Sequence, residues 1–314
     1  MNNVSQTVSI PEMSVLASLS SSQPCPALSL GSDIQNTLVP PLTFDGTVEA
    51  FGQSIPKEDV GGDLVDLLAD GRDVIAYVAD VSGHGLRAGV LMGMIKTAVR
   101  YGLLLRQPMT KLLQDINHVL PAIKEPHMFA TLAALRFDRS NIENVVENEV
   151  EYISAGHVPL LHYRRRNKDV VRYSTSQFPL GMFANAGYVS RRIRYEAGDI
   201  FAVVSDGVVE VGEEHDAELG FERLADILRQ LPERPLSDIV EAIFTDLRHH
   251  GVQQDDQTIL LVRPREECDF PQEHDVRQQD NPLSQHSEGA EAHGPIEARW
   301  RRLLDDLAAE LAHD

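Results

Sequence analysis

Four aspartates stand at tight backbone punctuation along this chain, in Gly61-Gly62-Asp63, Asp80-Val81-Ser82-Gly83-His84-Gly85, Ser205-Asp206-Gly207 and Asp255-Asp256-Gln257-Thr258. Residues so far apart can share one chemistry only if the fold brings several strand ends to one place. Carboxylates crowded without a cation repel and raise one another's pKa values, whereas hard divalent ions such as Mg²⁺ or Mn²⁺ prefer oxygen ligands and retain water. The pattern therefore points to metal-assisted hydrolysis.

At 314 residues, 42% of them apolar, the chain is long enough for one large domain with appendages and can bury a real core. A formal charge of −20 argues against a phosphate-neutralising surface, so no nucleic-acid partner is expected. Cys25 and Cys268 both fall in segments that read as flexible, which implies neither a disulfide framework nor a thiolate metal site. No Lys or Arg precedes Lys57. No apolar run approaches the roughly 18 residues of a membrane span, so a cytoplasmic protein without a membrane partner is expected.

Residues 1–27, rich in Ser, Asn, Gln and Pro, read as a flexible segment, and Leu28 to Leu38 as a short helix ended by Pro40-Pro41. The domain is expected over 28–264. Asp73 to Asp80 reads as a buried strand ending at an acidic turn, and Leu86 to Arg106, with Val90, Met94, Ile95, Ala98 and Val99, as a mostly buried helix. A second helix follows at Met109 to Ile123. Strands are expected at Phe129 to Phe137, Val150 to Ala155, Leu160 to Arg164, Val170 to Ser174, Tyr188 to Tyr195 and Ile200 to Ser205. Helices at Phe221 to Gln230 and Leu236 to His249 then precede a last strand, Thr258 to Arg263. Many strands follow one another directly, which argues for an α+β fold with antiparallel sheets and helices outside them.

After Arg263 the composition changes. Residues 265–314 carry five basic and thirteen acidic residues, a net of −8, and 265–294 read as a disordered acidic linker. Ile296, Trp300, Leu303, Leu304, Leu307 and Leu311 then recur at helical spacing, so 295–314 read as an amphipathic helix. That helix suits its own domain, a regulatory protein, or self-association.

Taken singly, each acidic motif has an ordinary reading. Asp80 could be a helix cap, Gly61-Gly62 a hairpin turn, Asp206-Gly207 a type I′ turn, and Asp255-Asp256 a cap or solvated turn. Joint occurrence and order change this: strand, acidic turn, long helix, several strands, strand with Asp-Gly, helices, then an acidic pair with a strand.

The motifs Val60-Gly61-Gly62-Asp63, Ala79-Asp80-Val81-Ser82-Gly83-His84-Gly85 with Ala88, Phe129-Ala130-Thr131, Ser154-Ala155-Gly156-His157 with Pro159, Pro179-Leu180-Gly181-Met182, Gly198-Asp199, Ser205-Asp206-Gly207 and Asp255-Asp256-Gln257-Thr258 run in one family's order. On them the chain resembles the SpoIIE-like branch of the metal-dependent (PPM, type 2C) serine/threonine protein phosphatases. Leu64-Val65 stand where the family usually places aromatics, and Ser154 where Asn is common.

The resemblance implies a four-layer sandwich, two mainly antiparallel sheets flanked by helices, with two Mn²⁺ or Mg²⁺ ions at one edge. It further implies that Asp80 bridges the ions with the Val81 carbonyl as a further ligand, that Asp63 serves one ion, and that Asp206 and Asp255 serve the other. Asp256 and His84 would stand just outside the ligands, His84 either protonating the leaving serine oxygen or bracing the turn. His157 is assigned to packing, and His249-His250 to the end of a helix. The implied substrate is a phosphorylated STAS-domain antagonist of an anti-sigma factor in a bacterial partner-switching circuit. About forty residues ahead of the core are too few for an ordinary sensor domain, so a signal is expected through another protein, oligomerisation or the tail. Two alternatives stay open: a weak or inactive regulatory binding module, and a two-metal phosphatase of small phosphate esters.

Overall fold

A computed structural model of the chain describes residues 31, 33, 35–70, 73–138, 148–211 and 217–265. The expectations for the flexible segment 1–27, the linker beyond Arg265 and the helix at 295–314 lie outside the described residues. Residues 35–38 are helical, within the first expected helix.

Two antiparallel sheets make the framework. The first runs β1 (Leu42–Asp45), β2 (Val48–Ile55), β11 (Gln257–Pro264), β10 (Ile200–Val204), β7 (Leu160–Arg164) and β8 (Asp169–Tyr173). The second runs β3 (Leu64–Ala69), β4 (Asp73–Val81), β5 (Ala130–Asp138), β6 (Glu149–Ala155) and β9 (Arg191–Arg194). Helices α1 (Leu86–Leu104) and α2 (Met109–Ile123) pack on the second sheet, and α4 (Ala217–Gln230) and α5 (Leu236–His250) on the first. The one-turn helix α3 (Asp206–Val209) follows β10.

This layering explains why the central strands read as apolar on both faces. In β10, Phe201 and Val203 enter the core between the sheets, while Ile200, Ala202 and Val204 join the core under α4 and α5. In β11, Leu260 and Val262 face inward, and Ile259 and Leu261 meet the helices. Opposite-facing sets at period two are thus all buried. Helix α2 follows the 3.6-residue rule, burying Met109, Leu112, Leu113, Ile116 and Leu120 on one stripe.

Two expectations need correction. Helix α1 is not mostly buried: Leu91, Met92, Ile95 and Val99 meet the sheet, but Val90 is 52% and Met94 44% exposed. The helix is an outer layer and only one face meets a neighbour among the described residues. The strand expected over Tyr188 to Tyr195 is confined to Arg191–Arg194. Asp206-Gly207 opens a helical turn.

Strands β1, β2 and β3 had not been foreseen. In β2 the inward side alternates Val48, Ala50 and Gly52, and the last two carry little β-propensity. Also unforeseen is the anchor of α1. Arg100 grips both oxygens of buried Asp66 at 2.7 and 2.6 Å, the Tyr77 hydroxyl donates to the same carboxylate at 2.9 Å, and Lys96 stands 3.8 Å from it. A buried charge so completely partnered fixes where the helix sits more than it adds net stability.

Candidate metal centre

The acidic motifs lie at one end of both sheets. Leu64 pairs with Ala79 across β3 and β4, so Asp63, one residue before β3, comes beside Asp80. Val204 pairs with Ile259 across β10 and β11, and the Ser205 N–H donates to the Thr258 carbonyl at 3.0 Å, so Asp206 and the Asp255-Asp256 pair share the end of that antiparallel pair.

Electrostatics tie the two halves together. Asp63 is 2% exposed, and burial, followed by the charge on Asp80, holds its carboxyl well above the usual carboxylate range. Asp80 is pushed up to about 8 by burial and then by Asp206, Asp255 and Asp256, with a hydrogen bond to Asp63 pulling the other way. Asp206 is raised by burial and then by Asp255. Asp63, Asp80 and Asp206 are thus each disfavoured as anions by burial and by neighbouring acids, a penalty that a bound cation would relieve. Asp63 Oδ2 is buried with no hydrogen-bond partner, an acceptor that suits a cation. The donor set, carboxylates plus the Val81 carbonyl, is the hard-oxygen chemistry of Mg²⁺ or Mn²⁺. Among the described residues no three His, Cys, Asp or Glu side chains stand close enough together to hold a metal ion in this conformation.

Asp256 has a different position from its neighbour. Asp255 is exposed, while Asp256 is buried, and its two oxygens accept the N–H groups of Lys57 and Gly62, each at 2.7 Å. It ties the start of β11 to the loop that presents Asp63. Close approach here demands glycine: a Cβ on Gly62 would lie 2.5 Å from the Val81 carbonyl oxygen, and one on Gly207 would lie 2.2 Å from that of Asp256. Ser205 was missed as a contributor. Its hydroxyl donates to the Asp256 carbonyl at 3.2 Å and accepts the Thr258 N–H at 2.9 Å, bracing the turns that carry Asp206 and Asp256. Its burial at the end of an apolar strand was the available signal.

The histidines separate clearly. His84 is exposed and its Nδ1 lies 2.9 Å from Glu58 Oε1, an acid that sequence reasoning had not singled out. His157 is buried against Thr131 Oγ1 at 2.7 Å, and burial pushes it down to about 4. His249 and His250 cap the end of α5 through the carbonyls of Thr245 and Asp246. A cavity of about 200 Å³ opens beside the Asp80–Gly83 turn.

Residues 70–265, more than half of the chain, match the family model described as Stage II sporulation protein E (SpoIIE). The chain belongs to the SpoIIE family. It is a member of the SpoIIE branch of the PPM serine/threonine protein phosphatases. The family match holds Asp80, Asp206 and Asp255 and begins after Asp63. The phosphoserine phosphatase RsbU of Bacillus subtilis (strain 168) is 24% identical over 242 residues, covering 75% of this chain and 69% of RsbU. Among solved structures, the RsbU and RsbW domains of a Mycobacterium tuberculosis protein share the fold with a TM-score of 0.63 at 23% identity, over 72% of this chain and 62% of that one. The SiaA-PP2C domain of Pseudomonas aeruginosa does so with a TM-score of 0.61 at 20% identity, over 76% of this chain and 94% of that one. The α+β, two-sheet architecture of this SpoIIE-family chain is that of the PP2C domains. No helix among the described residues is long and apolar enough to cross a membrane.

Proposed function

We propose that this SpoIIE-family chain hydrolyses phosphoserine or phosphothreonine in a protein, with two Mn²⁺ or Mg²⁺ ions, and that the protein is a STAS-domain antagonist of an anti-sigma factor in a bacterial partner-switching circuit. The observation that carries the reading is the convergence of Asp63, Asp80, Asp206 and Asp255, acids from four separate turns, at one end of the two sheets. Asp63, Asp80, the Val81 carbonyl, Asp206 and Asp255 would hold the ions. Bound there, two dications acidify a shared water and neutralise phosphoryl charge.

The chain's own groups supply the positioning. Asp256 and Ser205 brace the loops that present the acids. His84, held by Glu58, is the group offered for protonating the leaving serine oxygen. RsbU, named as a phosphoserine phosphatase, supports the phosphoprotein substrate, and the −20 charge favours a protein over a nucleic-acid partner. A cytoplasmic location and regulation through 295–314, by another protein or a second copy, complete the proposal. The test is incubation with Mn²⁺ and phosphorylated STAS proteins from the same genome, beside a small aryl phosphate. Release of phosphate from the aryl ester alone would favour the small-ester alternative, and release from neither would favour a binding module.

A further inference from the structure

The cavity beside the Asp80–Gly83 turn has walls unlike the rest of this acidic chain. Ser82, Gly83, His84, Arg87, Glu125 and His127 are among its lining. Of the five side chains these residues carry, one is an arginine, two are histidines and one is acidic. Two hydrogen bonds hold the walls together, Ser82 N–H to the Phe129 carbonyl at 3.0 Å and Phe129 N–H to Ser82 Oγ at 2.9 Å. The segment carrying Glu125 and His127 is thereby clamped to the turn that follows the candidate metal ligands Asp80 and Val81.

Arg87 is 77% exposed, and its Nη1 lies 3.1 and 3.2 Å from the two oxygens of Glu125. His127 Nε2 stands 3.6 Å from the same carboxylate. An exposed ion pair of this kind adds little to folding stability, because water competes for both partners. A phosphomonoester dianion offers more charge and more acceptor oxygens than Glu125, and a guanidinium fork matches it in geometry. The first turn of α1, where Arg87 sits, carries no acid, so nothing on that helix opposes an anion.

Building on the phosphatase reading above, we infer that Arg87, assisted by His127, binds the phosphoryl group of the substrate, and that Glu125 occupies Arg87 until the substrate displaces it. Glu125 is then a built-in competitor. Its removal and the removal of Arg87 have opposite effects, which a merely structural ion pair does not produce.

The test uses the full chain with Mn²⁺, an aryl phosphate and a phosphoserine peptide as substrates, and inorganic phosphate as inhibitor. R87Q is expected to raise KM for both substrates and Ki for phosphate about tenfold, the loss of one charge-assisted contact, with little change in the Mn²⁺ concentration needed. R87K should fall between, keeping charge without the fork. E125Q is expected to lower KM and Ki by about two- to threefold, since it removes a competitor worth a fraction of a tenfold step. Unchanged KM and Ki in R87Q, a rise in KM in E125Q, or a shifted Mn²⁺ requirement in R87Q would each overturn the inference while leaving the phosphatase reading intact. A shift confined to the peptide would also overturn it, placing Arg87 on the protein part of the substrate. A wild-type chain inactive on both substrates and on the phosphorylated STAS proteins would overturn the phosphatase reading itself.

Discussion

The Oδ2 of Asp256 accepts the backbone N–H of Gly62 at 2.7 Å across 194 residues of chain. Its other oxygen takes the Lys57 N–H, so one buried carboxylate joins the start of β11 in the first sheet to the loop ahead of β3 in the second. In D256N one amide N–H would face an NH₂ group rather than an acceptor. That substitution is expected to cost about 1–3 kcal/mol of stability in urea unfolding. Activity should fall less than in D80N. Equal or greater loss of activity in a folded D256N would mean that Asp256, not Asp255, belongs among the ligands.

D80N is expected to abolish Mn²⁺-dependent hydrolysis, by roughly a thousandfold or more, while leaving the fold intact. Because burial first and neighbouring acids second penalise the Asp80 carboxylate, the metal-free D80N protein, which carries no charge there, should also melt higher than wild type at pH 8. Thermal melts in EDTA and a phosphate-release assay check both halves. Wild-type turnover in folded D80N would remove the metal assignment.

The pH dependence follows from the same group. Folding pushes the Asp80 carboxyl from its ordinary 3.8 up to about 8, so between those values the metal-free folded state binds a proton that the unfolded chain has released. This group's contribution to stability therefore falls as pH rises through that window. Ion binding requires the deprotonated form, so the rise in Tm on adding Mn²⁺ should be larger at pH 8 than at pH 5. A Tm shift independent of pH would contradict the assignment of this acid to an ion.

Glycine geometry gives a paired test. An added Cβ at Gly207 would meet the Asp256 carbonyl oxygen at 2.2 Å, whereas at Gly187 it would meet nothing within 4 Å. G207A is expected to lose about 1–3 kcal/mol and most of its activity, because the obstruction is backbone and cannot rotate away. G187A should stay near wild type by chemical denaturation and by assay.

Truncation after Arg265 is expected to keep metal-dependent hydrolysis of a small phosphate ester while changing either self-association or the rate on the protein substrate. The basis is the apolar stripe of Ile296, Trp300, Leu303, Leu304, Leu307 and Leu311, which lies outside the acid-bearing motifs. Sedimentation and paired assays distinguish the outcomes. Unfolding of the truncated chain would assign the stripe to the core.

Punctuated aspartates, period-two strands and apolar helix stripes are local signals, and they sufficed for the α+β class, the order of most elements and the acidic motifs. Strand β4 announced itself through a run of Val, Ile, Ala and Tyr, and α2 through its 3.6-residue stripe. What stayed hidden depends on neighbours distant in the chain. Strand β2 escaped notice because its inward Ala50 and Gly52 have low β-propensity, and the exposure of Val90 and Met94 depended on which face of α1 met the sheet. The different positions of Asp255 and Asp256, adjacent and chemically identical, were set by burial and by the Lys57 and Gly62 amides. The Arg87–Glu125 pair, 38 residues apart, exists because the Ser82–Phe129 clamp brings the two loops together. A side chain's type is written in the sequence, but its charge state and partners come from the dielectric and the donors that folding places around it.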